Sequence, residues 1–174
     1  MLLLQSLQLF QYASNGDVEG LKRSIRHGKV NVGQRDDGGQ TPLIVAAANN
    51  QPGAIKCLIE EGKADIEARV SIEDTDCLEV TALLLAIKKG NLEAVKMLLE
   101  KGADPNAKDY WGRNSIQCAI KYGDDVDLWL PEHHLEYGHL DIVKELLKYE
   151  VDLSVKIFKG QNLLHIAAEG RNGR

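Results

Sequence analysis

Between Thr81 and Asp104 the apolar positions fall into two helical stripes separated by a glycine. Leu83, Leu84, Ala86 and Ile87 share one face of a first short helix, and Leu92, Val95, Leu98 and Leu99 share the inner face of a second. Thr81 stands where an N-cap belongs, its hydroxyl free to accept from an orphan amide of the first turn. Gly90 and Gly102 supply left-handed stops. Glu93, Lys96 and Glu100 lie on the outer face at salt-bridge spacing. Two helices folded back on each other in this way cannot bury their own apolar faces, so the pattern predicts that the unit repeats.

It does repeat. The segments GGQTPLIVAAANN, EVTALLLAIKKGN, GRNSIQCAIKYG and GQNLLHIAAEG place Thr41, Thr81, Asn114 and Asn162 at one position. Thr81 to Asn114 is a step of 33 residues; Thr41 to Thr81 is 40, and Asn114 to Asn162 is 48, so two insertions interrupt the period. Stepping back 34 residues from Thr41 reaches Leu7, and LQLFQYASNGDVEGLKRSI fits a degenerate first unit. The Gly-x-Thr-Pro-Leu segment, the apolar second helix and the Gly-Ala-Asp turn resemble the ankyrin repeat. The resemblance implies an all-α fold: an ankyrin-repeat solenoid of stacked helix-turn-helix units with short β-hairpin fingers. Four full repeats and a partial fifth are expected in a single domain over 1–174, near 1–35, 36–69, 76–108, 109–156 and 157–174, with insertions near 70–80 and 124–138.

Aligned this way, the second helices form columns: Leu21, Ile55, Val95 and Val143; Ser24, Leu58, Leu98 and Leu146; Ile25, Ile59, Leu99 and Leu147. Ala46, Ala86, Ala119 and Ala167 form a small-residue column in the first helices, where close helix approach needs them. Alternation of Val70 and Ile72, then Leu78 and Val80, predicts a lengthened hairpin with an acidic tip at Glu73, Asp74 and Asp76. The second insertion, DDVDLWLPEHHLEYG, carries Trp129, Leu130 and Leu135, which either pack back on the repeat or leave Trp129 as a partner-binding anchor. In MLLLQSLQLF, Leu3, Leu7 and Phe10 are expected to face inward, leaving Leu2, Leu4 and Leu9 on the outer face of an imperfect cap. The chain ends within the fifth unit after its first helix, as expected of a fragment.

Composition removes several function classes. A net charge of −5, with 21 basic and 26 acidic residues interspersed, argues against whole-surface attraction to nucleic acid. Cys57, Cys77 and Cys118 are scattered without Cys-x-x-Cys spacing, which fits free thiols in a reducing, intracellular setting. The N-terminal apolar run lacks a basic flank and a cleavage site, and no stretch approaches the roughly 18 apolar residues of a membrane span. His133, His134, Glu136 and His139 lack the spacing of a zinc site, and no phosphate-binding loop or nucleophile elbow is present. His165 falls at the family's motif histidine, which the resemblance makes structural.

The resemblance therefore implies a non-catalytic protein-protein interaction module or scaffold, monomeric, with no metal and no cofactor, binding a partner protein through the concave surface of its fingers and first helices. Carried over position by position, the contact residues are Leu78, Val80, Lys88, Lys89, Tyr110, Trp111, Arg113, Lys121, Tyr122 and Phe158, flanked by Asp37, Gln40 and Lys159. Tyr110, Trp111 and Arg113 are the expected anchors, because aromatic and arginine side chains dominate interface energetics. Their chemistry suits an acidic or apolar segment of the partner. The alternatives are a regulatory or targeting ankyrin domain of a larger enzyme, or a nucleotide- or nucleic-acid-binding array in which Trp111 or Tyr122 stacks on bases.

Overall fold

Side chains that close the first turn of a helix mark where three of the described units start. The computed structural model describes residues 2–27, 30–72, 77–122 and 139–154, with side chains except at 2–5, 71–72, 77–78 and 121–122. Its helices are α1 (Leu2–Asn15), α2 (Val18–Arg26), α3 (Pro42–Ala48), α4 (Pro52–Glu60), α5 (Ala82–Lys88), α6 (Leu92–Glu100), α7 (Ser115–Tyr122) and α8 (Leu140–Leu146). Strands β1 (Val70–Ile72) and β2 (Cys77–Val80) pair antiparallel between α4 and α5. Thr41 Oγ1 accepts from Ile44 N at 3.4 Å ahead of α3, where Pro42 occupies the first turn, and Thr81 Oγ1 accepts from Leu84 N at 3.4 Å ahead of α5. Ahead of α7 the amide of Gln117 donates to Asn114 Oδ1 at 3.2 Å, while the Asn114 amide donates to Gln117 Oε1 at 3.1 Å. Asparagine thus caps in place of threonine, with a reciprocal partner three residues on.

The stacked, all-α arrangement expected from the repeats is the one the chain adopts. First helices α1, α3, α5 and α7 pack in succession, second helices α2, α4, α6 and α8 do the same, and each pair packs within itself. Because α5 touches α3, α6, α7 and β2, it is covered on every side: Leu85 is buried along with Leu83, Leu84, Ala86 and Ile87, where a single inward face was expected. In the second helices Leu21, Ile55 and Val95 are buried, as are Leu58, Leu98 and Leu146. Leu147, which shares the column of the buried Leu99, is 52% exposed.

Two expectations are corrected. In α1 it is Leu9 and Ala13 that are fully buried, while Leu7 is 75% exposed and Phe10 half-buried. The reason is register: Leu9 lies 34 residues before Leu43 and fills the same place against the next unit, whereas Leu7 holds the cap position of Thr41. The outward charges of α6 also do not pair along their own helix among the described residues. Glu93 accepts from Asn50 Nδ2 at 3.2 Å, which holds its carboxyl below the usual range, and Lys101 reaches Glu60 of the preceding unit.

Side chains bond to backbone across the seam between units. Asn91 Nδ2 donates to Ala47 O and Ala48 O at 2.8 and 2.9 Å, and Asn50 Oδ1 accepts from Ala94 N at 3.0 Å. Asn50 holds a left-handed φ of +53°, the place Gly90 holds one unit later with φ +72°. His139, the residue before α8, sits on Gly90 so closely that a Cβ there would lie 2.7 Å from its ring. The small-residue column is buried at Ala46, Ala86 and Ala119, but the first unit places Tyr12 there. Room for its ring comes from Gly20, in the column of Ala54 and Ala94, where a Cβ would lie 2.8 Å from two Tyr12 ring atoms.

Gly20→Ala should therefore destabilise the protein, although alanine favours a helix by about 1 kcal/mol over glycine. Tyr12→Ala/Gly20→Ala should recover part of the loss, giving a coupling in a double-mutant cycle measured by urea unfolding. Asn114 also donates to Asp152 O at 3.0 Å, so Asn114→Ala removes both the cap and a bond to the loop after α8. A loss of about 2 kcal/mol is expected by the same measurement.

Candidate functional site

The finger ahead of α7 is built on one buried carboxylate. Asp109 Oδ1 accepts from Trp111 N at 3.0 Å and from Arg113 N at 2.9 Å, and Oδ2 accepts from Arg113 Nε at 2.7 Å. Only 2% of the Asp109 side chain is exposed, so its charge is stabilised by this pair and these amides rather than by water. Backbone bonds from Asp109 N to Arg113 O and from Gly112 N to Asp109 O close the loop, and Gly112 supplies the left-handed residue at φ +75°. Asp36 builds the earlier finger in the same way, accepting from Gln40 N at 2.8 Å, with Gly39 at φ +73°.

What differs is the tip. Asp37 and Gly38 stand where this finger carries Tyr110 and Trp111, which are 61% and 46% exposed. The two rings meet edge to face with centroids 5.8 Å apart, and the Arg113 guanidinium lies 4.6 Å from the Trp111 ring centroid. The sulfur of Cys118, buried on α7, lies 3.8 Å from Asp109 Oδ2. Asp109 escaped the sequence-based site, yet it shares a column with Asp36, a signal the alignment of units already held.

The other expected contact residues scatter. Val80 is buried, since it pairs with buried Val70 at the base of the hairpin, which packs on α5; it is no surface contact. Lys89 is exposed and Lys88 half-buried at the far end of α5 from its finger, about 10 Å along a helix of this length. Leu78 lies in β2, and Lys121 and Tyr122 lie in α7, but their side chains fall outside the described residues, as do Phe158 and the whole of 124–138. Tyr110, Trp111 and Arg113 are the expected residues that the structure brings together.

Arginines missed from sequence tie the fingers to one another. Arg35 donates to Gly39 O of its own finger and to Arg69 O of the next, and Arg69 donates to Glu79 O and Lys108 O. Arg35, Arg69 and Lys108 occupy one column, so each arginine braces the same point of its neighbour.

Among the described residues no group of three or more His, Cys, Asp and Glu side chains could hold a metal ion, and no helix is long and apolar enough to cross a membrane. Burial, followed by the Glu61 carboxylate, pushes the Cys57 thiol above its ordinary range and makes it a poor nucleophile.

Comparison with known proteins agrees with the architecture. The family model described as "Ankyrin repeats (3 copies)" matches residues 9–109 and, overlapping, 68–134. The chain is 31% identical over 149 residues to SH3 and multiple ankyrin repeat domains protein 2 of Homo sapiens, covering 75% of this chain and 8% of that protein. It is 30% identical over 139 residues to the B-cell lymphoma 3 protein homolog of Mus musculus, covering 78% and 26%. It is 31% identical over 166 residues to an L-asparaginase of Dirofilaria immitis, covering 95% and 24%. The chain thus spans 26% or less of the length of these three relatives. Ankyrin repeats are a non-catalytic fold and, in general, a protein-interaction module. The matched span, together with the stacked helical pairs, makes this chain a member of the ankyrin-repeat family.

Proposed function

We propose that the chain is a protein-binding module whose principal anchor is the Tyr110–Trp111 tip, and that the anchor takes an apolar segment of a partner protein. The observation that carries this is a pair of large aromatic rings, 61% and 46% exposed, held on a turn whose base is buried. Rings fixed in this way lose little conformational freedom on binding, so their buried area is retained as affinity. Arg113 does not make the tip an acid receptor. Its charge is matched by Asp109, and Lys88 and Lys89 belong to the distant end of another helix. The acidic segment considered from sequence is therefore the weaker choice. The same surface would serve an ankyrin region carried within a longer catalytic protein.

Trp111→Ala should leave the unfolding midpoint close to that of the parent, as exposed substitutions do, while weakening capture of the partner by about tenfold or more. Quantitative comparison of proteins retained by parent and variant, both immobilised, checks this. A partner retained equally by the folded variant, or one whose binding collapses with added salt, contradicts the assignment. Asp109→Ala is a different experiment. It leaves the largely buried Arg113 guanidinium without its carboxylate, so a loss of about 3 kcal/mol is expected in urea unfolding.

A further inference from the structure

The loops leading from each second helix into the following finger carry a recurrent bond between units. Asn106 Oδ1 accepts from Asp152 N at 2.7 Å, and Asn106 Nδ2 donates to Glu150 O at 2.7 Å. One unit earlier Glu67 Oε1 accepts from Asp104 N at 2.8 Å. A common turn fixes the alignment of these loops: Asn31, Asp65, Asp104 and Asp152 each accept, through a side-chain oxygen, from the amide two residues on. Gly33 therefore stands in the place of Glu67 and Asn106, and it has no side chain to send to the next loop.

The next loop is left with its backbone groups open. Among the described residues neither Asp65 N nor Lys63 O, two residues before it as Glu150 is before Asp152, finds a protein partner. A notch of about 220 Å³ occupies the space, lined by Gly33, Arg35, Thr41, Ala64 and Asp65 among others. The backbone does not demand glycine at this point. Its φ is not left-handed, and a Cβ would stand 3.4 Å from Asn31 Oδ1, an ordinary contact.

We propose that the notch over Gly33 is a binding site for a primary carboxamide, the side chain of an asparagine or glutamine on a partner protein. The bound group takes the place that the Asn106 carboxamide takes two units later: its oxygen accepts from Asp65 N, and its NH2 is available to the neighbouring carbonyl. A carboxylate suits the notch less well. Asp65, whose side chain is a carboxylate, is itself among the lining residues, and the Arg35 guanidinium already donates to Gly39 O and Arg69 O. This site goes beyond the aromatic tip and shares no residue with it, so Trp111→Ala leaves it intact and each can fail without the other.

The test is amide-resolved NMR of the full chain titrated with blocked tripeptides, Ac-Gly-X-Gly-NHMe, in which X is Asn, Ala or Asp. The Asn peptide is expected to move the Asp65 amide resonance progressively, and the Ala peptide to leave it in place. Gly33→Asn supplies the missing carboxamide from within and should weaken the response about tenfold or more; Gly33→Ala, which brings no hydrogen-bonding group, should keep it. No movement with the Asn peptide overturns the proposal without reference to any variant. Equal movement with the Ala peptide, a larger response to the Asp peptide, or an undiminished response in folded Gly33→Asn overturns it as well.

Discussion

No helical pair in this chain can cover its own apolar face, and everything else follows from that shortage. The pairs gain a core only by lying against one another, and the amides and carbonyls left at the ends of such short helices must be satisfied across the same contact. Asn50 and Asn91 do both at one seam. Each bridges residues some forty positions apart in sequence, and each fixes the stagger at which the apolar columns meet. Where the next seam places His139 on Gly90, a glycine is needed because the ring occupies the space of a side chain. The first unit solves the problem in a third way, exchanging a small residue on α1 for Tyr12 and compensating with Gly20 on α2.

The same shortage explains where binding residues can stand. First helices buried on all sides, as α5 is, have little side-chain surface to offer, so variation is pushed outward into the fingers. There a buried carboxylate holds the base and frees the two tip positions from any packing duty. The Asp36 finger spends those positions on Asp37 and Gly38, while the Asp109 finger presents two aromatic rings. One turn geometry with different tips is how a repeat fold acquires recognition without changing its core.

Most of the architecture was legible in the residues because its signals are local. The 33-residue step, the caps at Thr41, Thr81 and Asn114, and the left-handed stops at Gly90 and Gly102 depend on neighbours within a few positions. The facing of α1 was misjudged because MLLLQSLQLF is apolar on several sides, so only alignment with Leu43, and not periodicity, distinguishes Leu9 from Leu7. Burial of Leu85 and of Val80 depends on what lies above them, which no single unit reveals. In the site, the exposed tip was readable from composition and position. The part played by Asp109, and the bracing by Arg35 and Arg69, arise from side chain to backbone bonds whose signal lies in comparing columns rather than in any one motif.

The seam at Asn91 offers the most direct test that stability resides between units. Amide hydrogen exchange of the intact chain, parent against Asn91→Ala, measures it. Loss of the bonds to Ala47 O and Ala48 O should accelerate exchange in α3 and in α5 and α6 together, since both sides of the contact depend on it. Acceleration confined to the first turn of α6, with α3 unchanged, would contradict the account and make each helical pair stable on its own.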